Sequence, residues 1–260
     1  MGIEIFRKHL REKRAIKIIS GINNYDTEKV AKICRASQTG HASAVDIAAD
    51  IDVYKTARKN TKLPIFVSSI HPFELLDAAK WGADAIEIGN FDALYKEGKS
   101  FNADEVYDIT VEALGLVNKY DIFTCVTIPG NIHIADQIEL LNKLEYLGVD
   151  LIQTEGVKQV ITSENPSAHL VSYAAATISN TMELMQHTSI PIMSASGITA
   201  KTAPLAFSAG ASAVGVGSAV NKLETEVEMS AAVMSIVGTI SYRNSINKEI
   251  LRTKRELSLY

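Results

Sequence analysis

A unit of roughly 30 residues, an apolar strand followed by a helix, recurs along most of the chain and narrows its folding options more than anything else in it. Ala15–Ile22, Ser43–Ala49, Leu63–Ile70, Ala83–Asn90, Ile122–Pro129, Asp150–Gly156, Ile190–Ala195 and Ala213–Ser218 read as strands. Between them, Asp26 caps a helix that closes at Gly40, and Pro72 opens one that stops at Gly82. Asn102 with Glu105 makes a capping pair for a helix to Tyr120. Several helices end in Gly-(Ala/Val)-(Asp/Ser), as at Gly82-Ala83-Asp84, Gly148-Val149-Asp150 and Gly210-Ala211-Ser212. There a left-handed glycine ends the helix and the next strand begins at once. Eight strands alternating with helices imply a parallel sheet that closes on itself, the α/β fold of a (β/α)8 TIM barrel. Residues 1–260 then read as a single domain: an N-terminal helix (1–14), the barrel (15–240) and a basic, helical tail (241–260).

Composition agrees and excludes several partners. The 260 residues are 47% hydrophobic and 22% charged, with a net charge of −4 and a pI near 5.9. Nothing there favours nucleic acid or an anionic membrane, and the apolar runs are too short to span a bilayer. The N-terminal segment has no apolar stretch of signal-peptide type and reads as an amphipathic helix, with Ile3, Phe6 and Leu10 on one face, covering the bottom of the barrel. Cys34 and Cys125 fall in a helix and a strand, as buried thiols. The histidines lack ligand spacing, so no metal site is expected.

Strand alternation sorts the interior. Branched aliphatics facing the helices, such as Ile16, Ile18, Val45, Ile47, Ile86 and Ile88, leave Lys17, Asp46 and Glu87 pointing inward. By the same test Gln153, Glu155, Gly215 and Gly217 point inward, while strands 3 and 7 are ambiguous. Charges inside a barrel must pair or shift their pKa. Lys17, Asp46 and Glu87 therefore read either as a structural polar layer or as catalytic groups, with Lys17 as electrophile, counter-ion or imine-forming amine. Asn23, Asn90, Gln153 and Glu155 are the candidate substrate-binding residues. Ser68, His71, Thr154 and Ser194 also read as polar residues of the loop face. The long connections Phe91–Phe101 and Val157–Ser167 are lid candidates on that face.

The last two strands carry the most specific signal. Ser196-Gly197 ends one, and Gly215-Val216-Gly217-Ser218 ends the next, with a helix between. Glycine-rich turns after strands 7 and 8 of such a barrel cradle phosphate on backbone N–H groups. Ser196, Gly197, Gly215, Gly217 and Ser218 thus form the candidate phosphate site, for a substrate phosphate or that of flavin mononucleotide.

IKIISGINNYD, SAVDIAAD, ADAIEIGNFDALYKEGKSF, LIQTEG and IMSASGITAKTAPLAFSAGASAVGVGSAVNKL resemble, in order, the hypothetical chloroplast reading-frame family of algal plastids and cyanobacteria. The resemblance implies a phosphate-binding barrel and a plastid-encoded protein of the stroma; without it, the expected compartment is the cytoplasm. More distantly, the pattern is similar to thiazole synthase, pyridoxal-phosphate synthase and the indole-glycerol-phosphate and histidine-pathway barrels. The functions that follow are a lyase, isomerase or synthase acting on a small phosphorylated metabolite, a flavin-dependent oxidoreductase, or a non-catalytic ligand sensor or assembly protein. The tail offers a surface for contact between copies of the chain.

Overall fold

A computed structural model of the chain describes residues 2–156 and 166–257. Its eight strands pair in parallel and in sequence order, β1 (Ala15–Ile19), β2 (Ala44–Ala48), β3 (Ile65–Ser69), β4 (Ala85–Ile88), β5 (Phe123–Ile128), β6 (Leu151–Thr154), β7 (Ile192–Ser194) and β8 (Ala213–Val216). Pairing of Ala15 with Ala213 and Lys17 with Gly215 joins β8 back to β1 and closes the barrel. The expected TIM barrel is present. The helices of its outer ring are α2 (Thr27–Thr39), α3 (Ile51–Asn60), α4 (Pro72–Trp81), α6 (Ala103–Val117), α7 (Ile134–Tyr146), α8 (Pro166–Leu184) and α9 (Ala203–Ser208). α11 (Glu226–Leu257) closes the ring between α9 and α2, and the remaining helices are α1 (Gly2–Arg11) and the short α5 (Phe91–Leu94) and α10 (Ser218–Asn221).

The helix-ending glycines do what their pattern predicts. Gly82, Gly148 and Gly210 are left-handed, with φ of 90°, 78° and 109°. Two residues on, the N–H groups of Asp84, Asp150 and Ser212 already pair with the preceding strand, donating to the carbonyls of Ile65, Thr124 and Ile192. Asp84 and Asp150 also turn their carboxylates back. Asp84 Oδ2 accepts the Ile65 N–H at 3.0 Å, and Asp150 Oδ2 accepts the Thr124 N–H at 2.9 Å. Ser43 Oγ does the same for the Ile16 N–H at 3.0 Å. Each satisfies a strand-entry donor that the barrel's stagger leaves without a backbone partner.

Outward-facing Ile16, Ile18, Val45, Ile47, Ile86 and Ile88 are buried against the helices. The lower half of the barrel is apolar, and α1 stoppers it. Phe6 is fully buried there, with its ring 5.0 Å from Phe66 and 5.8 Å from Phe123. Cys125 joins that cluster, and Cys34 is buried in α2. The two ambiguous strands resolve: β3 sends Phe66 inward, β7 sends Met193 inward.

Two elements differ from the sequence expectation. The connection after β4 is not irregular, since α5 and a single 3-10 turn at Tyr95–Glu97 fill it, anchored by buried Phe91 and Leu94. The last helix and the tail are one element, because α11 runs unbroken past residue 240. The other lid candidate, Val157–Ser167, falls mostly on residues 157–165, outside the described residues. Among the described residues no helix is long and apolar enough to cross a membrane.

Candidate functional site

The barrel interior above the Phe6 stopper is polar and arranged in two levels. In the lower level Lys17, Asp46 and Glu87 come together from β1, β2 and β4, each with no exposed surface. Lys17 Nζ is ion-paired with Glu87 Oε2. Ser68, which reaches the interior from β3, donates its hydroxyl to Asp46 Oδ1. Burial tends to strip the proton from Lys17, but the carboxylates of Glu87 and Asp46 outweigh it and hold the ammonium above the ordinary lysine value. Burial pushes Asp46 the other way, up to about 7, with the Lys17 charge opposing and the Glu87 charge adding to the rise.

The upper level is a sheet of amides lying over these charges. Asn90 Nδ2 donates to Asp46 Oδ2 at 2.9 Å and to Ser68 Oγ at 3.0 Å. Gln153 Nε2 lies 2.8 Å from Glu87 Oε1, 3.0 Å from Asn90 Oδ1 and 3.0 Å from Thr127 Oγ1. Asn90 is left-handed, with φ of 67°, a conformation that asparagine tolerates better than most residues. This bend turns the chain out of β4 and aims the Asn90 amide into the barrel.

Over the amide floor lies a cavity of about 530 Å³ at the C-terminal ends of the strands. Asn90, Gln153 and Glu155 line it, and so do Ser196, Gly197, Gly217 and Ser218 from the turns after β7 and β8. Gly215 lies lower: a side chain there would meet Ala195, Ile19 and Gln153 Oε1 at 3.0–3.2 Å, so the glycine lets the amide floor close against β8. Lys17, Asp46 and Glu87, the expected catalytic residues, do not line the cavity, because the floor separates them from it. Asn23 is exposed, donates to Glu97 at 2.6 Å and does not line the cavity, although its neighbour Ile22 does. His71 is an exposed residue at the start of α4. Thr154 and Ser194 face outward, bonded with Thr181 on α8, instead of lying on the loop face.

Residues absent from the sequence expectation complete the cavity. Asp92 and Tyr95 reach over it from α5 and the 3-10 turn, and Asn221 and Lys222 flank it after β8. Asp92 accepts the Ser196 hydroxyl at 3.1 Å, and its N–H donates to Glu155 Oε1 at 3.1 Å. Burial, reinforced by the charge of Asp92, pushes the Glu155 carboxyl well above the usual carboxylate range. Asn221 Nδ2 donates to the Ile19 and Ser20 carbonyls, which ties α10 to the end of β1. The position of Asn221 and Lys222, directly after Gly-Val-Gly-Ser, was a usable signal. Asp92 and Tyr95 fall inside the lid candidate Phe91–Phe101, while which of its side chains reach the cavity depends on how α5 folds over the mouth.

Residues 4–246 match the family described as "Protein of unknown function (DUF561)". The chain belongs to this family. It is 34% identical over 245 residues to "Uncharacterized protein ycf23" of Pyropia yezoensis, covering 94% of this chain and 89% of the relative. The ycf23 protein of Cyanophora paradoxa is 38% identical over 234 residues, covering 90% and 95%. These relatives bear out the resemblance to chloroplast reading frames and give the family a plastid origin. Among solved structures the barrel is similar to 3-hexulose-6-phosphate synthase (TM-score 0.58, 13% identity, covering 86% of this chain and 99% of that one). It is also similar to (S)-3-O-geranylgeranylglyceryl phosphate synthase from Thermoplasma acidophilum (TM-score 0.59, 15% identity, covering 92% and 98%). At such identities the likeness is one of fold.

Proposed function

We propose that the protein binds a small phosphorylated metabolite in the cavity at the barrel mouth and acts on it as a lyase, isomerase or synthase of the plastid stroma. The observation that carries the reading is that the turns after β7 and β8 line one cavity together, with Lys222 beside them. Their backbone N–H groups would hold the phosphate. Structural neighbours named for phosphorylated compounds, including the synthase solved with sn-glycerol-1-phosphate, favour a phosphorylated ligand. Glu155, held toward its neutral acid form at the cavity wall, is the proton-transfer group a ligand would touch. Lys17, Asp46 and Glu87 act from beneath, by fixing Asn90 and Gln153. Imine formation at Lys17 would require the Glu87 ion pair to open and the amide floor to part.

That same enclosure favours a second reading, a barrel that senses its ligand without turning it over, since the buried Lys17 amine is already paired with Glu87. A thermal-shift titration of the full chain tests the binding step. Inorganic phosphate or a phosphate monoester raises the melting temperature of the wild type, and Gly217→Asp abolishes the shift. A Cβ at Gly217 has its nearest neighbours at 3.7 and 4.0 Å, an ordinary contact, so the change sets a carboxylate at the cavity without a Cβ clash. A wild type whose melting temperature no phosphorylated compound moves would sink the proposal. Detectable turnover of any bound ligand decides for the enzyme over the sensor, and a yellow preparation for the flavin alternative.

A further inference from the structure

One oxyanion already sits at the turn after β7, and it belongs to the chain itself. Asp92 Oδ2 accepts the Ser196 hydroxyl at 3.1 Å, across the mouth and 104 residues away in sequence. Ser196 is left-handed, with φ of 72°, a conformation that costs a serine more than a glycine. The hydroxyl is thus kept where the backbone alone would favour its loss. A hydroxyl carries a single proton and serves one acceptor at a time. A carboxylate and a phosphate dianion are both acceptor-only anions, so the two compete for that proton. Asp92 is exposed, while Phe91 and Leu94 on either side of it are buried and fix α5. Its backbone N–H stays on Glu155 Oε1 at 3.1 Å. A rotation of the Asp92 side chain therefore frees Ser196 without moving α5.

We infer that Asp92 is an autoinhibitory carboxylate: it occupies the Ser196 hydroxyl in the place of a ligand phosphate, and a phosphate settles into the β7 and β8 turns by exchanging with it. The inference rests on the phosphate reading above and adds a built-in competitor for that site. An incoming dianion meets a like charge at hydrogen-bonding range of its own donor, which opposes binding until the Asp92 side chain swings out toward water. Lys222, the one cation among the described lining residues, follows α10 on the β8 side and draws anions to the turns. Asp92 sets the threshold that they must pass. Because the penalty is common to every anion, only a ligand whose body gains further contacts in the cavity fills the site at low concentration.

Calorimetric titration of the full chain with inorganic phosphate and with sn-glycerol-1-phosphate, at one ionic strength, tests this. Asp92→Ala is expected to bind both probes at least about threefold tighter than the wild type, the gain from one like charge removed and one donor freed. Asp92→Asn, which keeps the shape of the side chain and loses its charge, should show part of that gain. The sign is diagnostic, because a side chain that only braced the turn would weaken binding when removed. Ser196→Ala separates competition for the hydroxyl from a general field of negative charge. Beside Asp92 it should leave phosphate affinity nearly unchanged, since the hydroxyl is already committed; in Asp92→Ala it should lower the affinity at least about threefold. Affinity that is unchanged or lowered in both Asp92 variants overturns the inference and leaves the phosphate reading standing. Additive effects of the two substitutions do the same. Silence of the wild type and every variant toward both probes overturns the inference and the phosphate reading together.

Discussion

Lys17 sits where an ammonium is most expensive, with no exposed surface and Phe66 as its lower neighbour, 5.1 Å from Nζ to the ring centroid. What makes it tolerable is Glu87, and the dependence is mutual. Lys17→Met would strand a buried carboxylate and should cost about 3–5 kcal/mol in urea unfolding. Adding Glu87→Gln should recover a good part of that loss, since breaking one side of a buried pair is worse than replacing both. A single substitution no costlier than a surface change would mean that the pair does not hold. Asp46 adds a pH signature. Its folded carboxyl titrates at about 7, against an ordinary value of 3.8. Between those values the folded chain keeps a proton that the unfolded chain has released. Its contribution to stability is therefore present at the acid end and is lost as pH rises toward about 7. Asp46→Asn should flatten that decline; the comparison is of slopes, because the new amide offers one acceptor where the carboxylate offers two, to Ser68 and Asn90, at every pH. A decline of the same steepness in the variant would assign the proton to another group.

At the scale of elements, the joints between helix and strand divide into those that build the barrel and those that build the site. Asp150 belongs to the first kind, with its carboxylate on the Thr124 N–H and on Arg7 of α1 at 3.0 Å. Asp150→Ala leaves a strand-entry donor unpaired and should cost about 1–3 kcal/mol in thermal or urea unfolding. Ligand affinity should stay within error, since the change lies at the closed end of the barrel. Gly89 belongs to the second kind. It has φ of 133°, and a Cβ on it would fall 2.4 Å from the Thr127 Cβ. Thr127 holds Glu87 and Gln153, so Gly89→Ala strikes the amide floor as well as the backbone. The expected result is destabilisation of roughly 1–3 kcal/mol or more together with loss of the phosphate-induced thermal shift. A variant that is destabilised but still binds phosphate normally would show that the floor does not shape the cavity.

For the molecule as a whole, the strand period and its glycine punctuation were enough to count eight strands, because closure needs only a repeating pattern that residues 15–218 carry locally. Which way Lys17, Asp46, Glu87 and Gln153 point was legible for the same reason, each being flanked by branched aliphatics. Their depth was not. Whether an inward side chain reaches the cavity or lies under a neighbour depends on the stagger between strands and on the Asn90 bend, neither of which is local. Asp92 and Tyr95 lie in Phe91–Phe101, whose length marks it as a lid candidate, but their own entry into the site follows the path of α5 across the mouth, which is not local either. Closure also governs how the chain should unfold. β1 pairs with both β2 and β8, so the first and last strands complete each other, and no contiguous half of the chain can satisfy its edge strands. On this ground we expect residues 1–260 to behave as one domain. Trp81, the single tryptophan, packs 5.9 Å from Tyr54 on the side of α3 and α4, far in sequence from the β8 closure. Its fluorescence should report the same urea midpoint as far-UV circular dichroism, which averages over every helix. A second probe is chemical: the buried thiols of Cys34 and Cys125 should become reactive in that same transition. Separated midpoints would mean that part of the ring can open while the rest stays folded, and would divide the chain into two units.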